Sequence, residues 1–100
     1  FTSPIRPITD GVLFDSNCIM YFVYIIQSQI NGKLYKGITS DLDARLRQHN
    51  NGKTKTTKAF RPWKIVYVEE FDNRHQARAR EIYFKSGAGR RYIREKLNIH

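Results

Sequence analysis

The chain has 100 residues, which is enough for one domain with a modest core. Lys and Arg number 18 against nine Asp and Glu, a formal net charge of +9, and 40% of the residues are apolar. This is not the composition of a disordered chain, and because no run of about 18 apolar residues occurs, the sequence predicts no membrane-spanning helix. The excess of positive charge favours a polyanionic partner, of which nucleic acid is the commonest.

The first nineteen residues, before the only methionine, Met20, differ from the rest of the chain. Two prolines and a glycine interrupt any periodicity, and no charged start followed by an apolar stretch marks a signal peptide. We predict an upstream extension over residues 1–19, flexible or non-native, and a domain over residues 20–100; an ordinary N-terminal arm is the alternative. The single cysteine, Cys18, has no partner for an internal disulfide, which is typical of a reducing compartment and fits a cytoplasmic protein.

Residues 21–39 predict a β-hairpin. Tyr21–Ser28 is rich in β-branched and aromatic residues on both faces, which is typical of a central strand. Asn31-Gly32 favours a type I′ turn, and Lys33–Thr39 follows as the antiparallel partner. Alternation along this partner predicts one face with Tyr35, Gly37 and Thr39, and an opposite face with Leu34, Lys36 and Ile38.

A helix is predicted next, to about residue 50, because polar residues that can cap a helix precede a four-residue apolar repeat. Leu42 and Leu46 should face the sheet, whereas Arg45 and His49 share a neighbouring stripe. Residues 51–62 then form a loop. It carries four candidate contacts to nucleic acid: Lys53, Lys55, Lys58 and Arg61.

Trp63–Phe71 predicts a third strand, with Trp63, Ile65 and Tyr67 on one face and Val66 and Val68 on the other.

A second helix should run to about Ser86, with Glu81 surrounded by cations, and a short basic helix should follow a break at Gly87 and Gly89. The cations near Glu81 are Arg74, Arg78, Arg80 and Lys85, of which Arg78 and Lys85 are further candidate nucleic-acid contacts. The order ββαβαα predicts an α+β fold (α/β in the broad sense), a small three-stranded antiparallel sheet with flanking helices.

Five of these residues suit hydrolysis of a phosphodiester. Tyr35, or Tyr24 across the hairpin, can serve as base if its pKa falls well below about 10, and a nearby Arg45 and a metal favour that fall. Arg45 also offers a planar fork for phosphate oxygens, and His49 can move a proton. Glu81 is a carboxylate that can hold one Mg²⁺ ion.

Ordinary structural roles explain the same residues. Strand tyrosines usually pack, an arginine and a histidine four residues apart usually form a solvated face, and a glutamate among arginines is usually an ion-pair partner. From these patterns alone, the conclusion is a basic α/β domain that binds nucleic acid.

Several short motifs together resemble the GIY-YIG nuclease domain family. They are VYI at 23–25, YKG at 35–37 after an Asn-Gly turn, SDLDARLRQHN at 40–50 and REIYFKS at 80–86. The resemblance covers roughly residues 20–97. It is strongest to the small stand-alone bacterial type, which is similar to the N-terminal nuclease domain of the bacterial excinuclease.

The resemblance implies cleavage of DNA with one divalent metal, Mg²⁺ or Mn²⁺, leaving a 3′ hydroxyl and a 5′ phosphate. By position, Tyr24 and Tyr35 match the tyrosines of the first and second motifs, and Tyr35 is then the general base or positions the water. Arg45 matches the helix arginine that meets phosphate, His49 a histidine found in many members, and Glu81 the metal-binding glutamate. The matching Gly37 is expected to let backbone or phosphate approach closely.

The sequence departs from the family pattern at three places. The first motif reads Val-Tyr-Ile, and Lys36 replaces an apolar residue of the second motif, where we expect it on an exposed sheet face. The segment after the glutamate helix, SGAGRRYIREK at 86–96, contains no asparagine; Lys85 or Arg90 takes its place, or the position is empty.

Two functions therefore stand at the level of sequence. One is a metal-dependent DNA endonuclease in repair or recombination, acting on branched, single-stranded or other structured DNA. The other is a nucleic-acid-binding module with an idle site; a basic RNA-associated protein is a weaker third. No sequence feature indicates an oligomeric state.

Overall fold

The computed structural model describes residues 20–98. Within that range the chain forms three strands and three α-helices: β1 (Tyr21–Ser28), β2 (Leu34–Thr39), α1 (Leu42–Asn50), β3 (Trp63–Phe71), α2 (Arg74–Phe84) and α3 (Gly87–Leu97). The strands form one antiparallel sheet in the order β2-β1-β3. The predicted α+β fold and its ββαβαα order are confirmed. Our prediction for residues 1–19 lies outside the described residues.

The central strand, β1, supplies both halves of the core. Val23 and Ile25 face α2 and α3, whereas Tyr24 and Ile26 face α1, and all four are at most 1% exposed. Each such apolar side chain contributes about 1.5–3 kcal/mol by leaving water. The α1-side cluster comprises Tyr24, Ile26, Trp63 and Val68, and the α2/α3-side cluster comprises Val23, Ile25, Tyr67, Ala77, Phe84 and Ile93. The sheet is thus covered on both faces.

The loop between β1 and β2 is wider than predicted. A type I′ turn needs positive φ at two residues, but of Asn31 and Gly32 only Gly32 has one, at 78°. The loop spans residues 29–33 because the Ser28 hydroxyl accepts hydrogen bonds from the N–H groups of Ile30 and Asn31, at 3.0 and 3.2 Å. The same hydroxyl donates to the Phe60 carbonyl at 2.7 Å, which ties this loop to the chain before β3.

The predicted faces of β3 are correct to Val66 and wrong from Tyr67 onward. The pairing of β3 with β1 shifts between Ile65 and Tyr67, leaving Val66 as an extra residue in a β-bulge. Trp63, Ile65 and Val68 therefore pack on the α1 side, and Val66 and Tyr67 pack on the α2/α3 side. Strict alternation fails because one inserted residue reverses every later side chain.

The start of α3 also differs from the prediction. The glycines do not break the chain, since α3 begins at Gly87 and the Ser86 hydroxyl caps it by accepting from the Gly89 N–H at 3.1 Å. A Cβ at residue 89 would collide with the Tyr83 carbonyl, so the missing side chain lets α3 pack directly on the end of α2. No helix in the described range is both long and apolar enough to cross a membrane.

Candidate active site

Tyr24 lies at the centre of the candidate site, on the α1 side of the sheet. It is 1% exposed and pairs across the strands with Gly37. A Cβ at Gly37 would lie 2.5 Å from the Tyr24 Oη and 2.7 Å from its Cζ. The phenol therefore fills the space above Gly37. The expectation that this glycine opens space for backbone or phosphate is wrong.

Helix α1 brings two side chains to the Tyr24 hydroxyl. Asp41 caps the helix by accepting from the Ala44 N–H at 3.1 Å, which fixes where its turns begin. Arg45 Nε donates to Tyr24 Oη at 3.4 Å, and His49 Nε2 lies 3.0 Å from the same oxygen. His49 is fully buried, so this stripe of α1 is part of the site rather than a solvated face.

Tyr35 packs beside this pair but stays half-buried. Its ring centroid is 5.1 Å from that of His49 and 6.5 Å from that of Tyr24. Its hydroxyl makes no hydrogen bond to any residue in the range 20–98. The two motif tyrosines therefore differ, because Tyr24 is enclosed and hydrogen-bonded whereas Tyr35 is accessible to a substrate.

Burial keeps Tyr24 and His49 neutral. It raises the pKa of Tyr24, against the opposing hydrogen bond from Arg45, and the charges of Tyr35 and Glu81 raise it further. Burial, with the nearby Arg45 charge, lowers the pKa of His49. Arg45 thus lowers the pKa of Tyr24 as expected, but burial outweighs it, so the protein alone does not meet the condition for Tyr24 to act as base.

Glu81 approaches from α2 and is 8% exposed. Its Oε2 accepts from Lys85 Nζ at 3.2 Å. Its Oε1 lies 3.6 Å from Arg78 Nη1, close enough for an ion pair but too far for a hydrogen bond, so this buried oxygen has no hydrogen-bond partner in the described chain. Within residues 20–98, Glu81 makes no hydrogen bond to the site residues on β1, β2 and α1. Its charge nevertheless contributes to the raised pKa of Tyr24.

The cations around Glu81 are fewer than predicted. Arg80 turns away and forms a two-pronged pair with Glu69, with Nε and Nη2 donating at 2.8 and 3.1 Å. Its guanidinium also stacks near three aromatic rings, those of Tyr83, Phe84 and Tyr92. Arg80 therefore joins α2 to β3 and α3.

The carboxylate of Glu81 fits a divalent cation as a single protein ligand. Mg²⁺ and Mn²⁺ prefer oxygen ligands, and a buried carboxylate oxygen that lacks a hydrogen-bond donor is free to bind one. Within residues 20–98, no three His, Cys, Asp or Glu side chains converge to form a metal cluster. Water and phosphate oxygens would have to complete the coordination.

The six predicted nucleic-acid contacts fall into two groups. Arg78 and Lys85 flank Glu81 and are 61% and 55% exposed at the side chain. The others lie exposed on the loop over residues 51–62, which follows α1: Lys53, Lys55, Lys58 and Arg61. Asn50 fixes the two ends of this loop, because its side chain accepts from the Trp63 N–H at 2.6 Å and donates to the Trp63 carbonyl at 3.1 Å.

Sequence reasoning misplaced one residue and missed another. Lys36 is half-buried rather than on an exposed face, and burial lowers its pKa together with the charges of Arg90, Lys85 and Arg94. Thr57 is 1% exposed and contacts His49, although nothing in the sequence distinguishes it from the threonines beside it.

A comparison with known protein families identifies the family of this chain. Residues 20–96 match the GIY-YIG catalytic domain. This chain belongs to the GIY-YIG family. The resemblance drawn from its motifs is confirmed, and with it membership of a nuclease family that acts on nucleic acid.

Bacterial proteins of the same kind are similar over most of their length. The chain is 37% identical to UPF0213 protein YazA of Bacillus subtilis over 82 residues, 78% of this chain and 82% of that protein. It is 42% identical to UPF0213 protein CPE1444 of Clostridium perfringens over 67 residues, 66% of this chain and 71% of that protein.

Proposed function

We propose that this GIY-YIG protein is a metal-dependent DNA endonuclease that hydrolyses phosphodiester bonds. We also propose that it recognises DNA structure, such as branched or single-stranded DNA, rather than one duplex sequence, and acts in DNA repair or recombination. One observation carries the proposal: within residues 20–98, the buried carboxylate oxygen Glu81 Oε1 has no hydrogen-bond partner.

Tyr35 is the tyrosine placed to meet the attacking water. Its hydroxyl is accessible and has no hydrogen-bond partner in the described chain, so a water can bind to it. The buried His49 ring packs against the Tyr35 ring in a T-shaped contact, with centroids 5.1 Å apart, which limits the movement of Tyr35. Tyr35 then orients the water for in-line attack, or removes its proton.

Arg45 is the cation placed to meet the phosphate. Its Nε donates to Tyr24 and its Nη1 donates to Gln48 Oε1 at 3.0 Å, which fixes the plane of the guanidinium. Its Nη2 has no partner within residues 20–98, so this nitrogen remains for a phosphate oxygen. A fixed donor of this kind stabilises charge that develops during the reaction without the cost of reorienting.

Glu81 would hold Mg²⁺ or Mn²⁺. When bound, such a cation offsets the negative charge on the phosphate and on the leaving oxygen. The DNA backbone on either side of the reacting phosphate would then be bound by Arg78 and Lys85, which flank Glu81, and by the lysine-rich loop of residues 51–62.

The test is cleavage of a labelled panel of single-stranded, duplex, flap and four-way-junction DNA with Mg²⁺ or Mn²⁺. Glu81→Gln and Tyr35→Phe should remove cleavage and leave folding and DNA binding nearly intact. Glu95→Gln, which removes the same charge from an exposed position of α3, is the matched control and should cleave normally. Equal cleavage by Glu81→Gln would reject the single-metal site, and cleavage confined to one duplex sequence would reject structure selectivity.

A nucleic-acid-binding module with an idle site is the second candidate. It is favoured by the ion pairs of Glu81 with Arg78 and Lys85 and by the raised pKa of Tyr24. It predicts no metal-dependent products from a folded protein. Binding should still weaken with salt by about 0.9 log units per log unit of salt for each phosphate contacted on duplex DNA.

A further inference from the structure

Thr57 is a buried residue in the middle of an exposed basic loop. Its neighbours Thr56 and Lys58 are exposed, whereas Thr57 is 1% exposed. Its carbonyl accepts a hydrogen bond from Trp63 Nε1 at 2.8 Å, and Trp63 belongs to the α1-side cluster. The backbone of the loop is therefore held in place at Thr57 by the core.

The side chain of Thr57 points to the candidate active site. Its Oγ1 lies 2.8 Å from His49 Nδ1, on the side of the imidazole ring opposite the nitrogen that meets Tyr24. The same Oγ1 donates to the Thr54 carbonyl at 3.4 Å. Thr57 thus connects the loop that carries Lys53, Lys55 and Lys58 to the imidazole.

The hydrogen-bond partners determine where the proton of His49 lies. Arg45 Nε can only donate, so Tyr24 Oη accepts from it. The buried hydroxyl proton of Tyr24 needs an acceptor, and His49 Nε2 is the only other partner of Oη in the described chain. His49 is then protonated at Nδ1 and donates to Thr57.

This arrangement gives every proton in the series of hydrogen bonds from Arg45 to Thr54 an acceptor. Arg45 donates to Tyr24, Tyr24 to His49 Nε2, His49 Nδ1 to Thr57, and Thr57 to the Thr54 carbonyl. The opposite tautomer would place two donors on Tyr24 Oη and leave its own buried proton without a partner, which is unfavourable.

We infer that Thr57 is a positioning residue: its hydroxyl accepts the Nδ1 proton of His49 and so holds the ring where Nε2 fixes the Tyr24 hydroxyl, and it couples the loop over residues 51–62 to the site. The catalytic part of this inference rests on the proposed function, whereas the tautomer does not. DNA phosphates bound to the loop lysines would hold the segment from which Thr57 projects. DNA binding by the loop and the geometry of the candidate site would therefore change together.

The first test is the tautomer of His49, read from imidazole ¹⁵N shifts and long-range ¹H–¹⁵N correlations of the labelled protein. The wild-type protein should show a neutral ring protonated at Nδ1, and Thr57→Ser should keep it. Thr57→Val, which removes the hydroxyl at nearly constant volume, should keep this tautomer, because Tyr24 and Arg45 determine it, but should shift the imidazole resonances, because Nδ1–H loses its acceptor. Thr57→Ser should show no such shift, and His75, exposed on α2, serves as the internal reference. A wild-type ring protonated at Nε2, or imidazole resonances in Thr57→Val that match those of the wild type, overturns the inference.

The second test is steady-state cleavage. Thr57→Val should lower kcat by up to about 100-fold with KM for DNA nearly unchanged, because the substitution changes the position of the His49 ring rather than the contacts with DNA. Thr57→Ser should regain most of the activity, and Thr56→Val is the matched control from the exposed neighbour. Normal cleavage by Thr57→Val rejects the positioning role and leaves the nuclease proposal standing. No cleavage by the wild type together with the expected tautomer rejects the nuclease proposal and leaves Thr57 as the residue that orients His49.

Discussion

A methyl group added at Gly37 tests whether the candidate site depends on the close approach of Tyr24 to β2. The new Cβ of Gly37→Ala would lie 2.5 Å from Tyr24 Oη and 2.7 Å from its Cζ. Ordinary contact is about 3.5 Å, so the end of the ring must retreat by about 1 Å. Such a shift disrupts the 3.0 Å hydrogen bond to His49 and the 3.4 Å bond from Arg45, because a fully buried ring has no free space to move into.

The expected loss of stability combines overpacking with a broken buried hydrogen bond, about 2–4 kcal/mol in all. For a domain of this size that lowers the melting temperature by about 4–8 °C per kcal/mol. Chemical denaturation measures the change, and cleavage of the best DNA substrate should fall by about 100-fold.

Two other glycines provide the controls for this substitution. A Cβ at Gly87 meets nothing within 4 Å, so Gly87→Ala should stabilise the first turn of α3 by up to about 1 kcal/mol. Gly89→Ala collides with the Tyr83 carbonyl and should destabilise the fold without changing the imidazole shifts of His49. Wild-type stability and an unchanged His49 spectrum in Gly37→Ala would refute the packing of Tyr24 over β2.

Charged groups give three further predictions. Because burial lowers the pKa of His49, the unfolded chain binds a proton below about pH 6.5 that the folded chain does not, and stability falls as pH falls. His49→Gln should flatten this fall in urea titrations from about pH 7 to about pH 5, and equal pH slopes would contradict it. Arg80→Lys loses the two-pronged pair with Glu69 and should cost about 1–3 kcal/mol in the same assay; a loss below about 0.5 kcal/mol would show that the pair is dispensable. Lys36→Met removes a half-buried charge whose pKa is lowered by burial and by neighbouring cations, so it should raise stability by up to about 1 kcal/mol and weaken DNA binding; a destabilised variant would contradict this.

Local sequence rules predicted the elements because local energies determine them. The bounds of β1 and β3 match the prediction, since runs of β-branched and aromatic residues leave few alternatives in a chain this short. The cap of α2 is local as well, because the Asn73 side chain oxygen accepts from the Gln76 N–H at 2.8 Å.

The errors arose where partners distant in sequence determine the conformation. The wide β1–β2 loop depends on Ser28, whose hydroxyl reaches the Phe60 carbonyl 32 residues later. The bulge in β3 depends on its register with β1, and the start of α3 at Gly87 depends on contact with the end of α2. None of these partners follows from spacing along the chain.

The sequence predicted the candidate site residues as a set, but it did not predict that the two motif tyrosines differ in burial. Tyr24 and Tyr35 are the two motif tyrosines, yet Tyr24 is buried whereas Tyr35 is only half-buried, so Tyr35 is the one better suited to meet a water. Burial is the largest cause of the raised pKa of Tyr24, and the negative charge of Glu81 adds a smaller contribution. A divalent cation on Glu81 would offset that charge and so favour the phenolate. On the proposed function, metal binding would therefore change the electrostatics at Tyr24 while its packing stays the same.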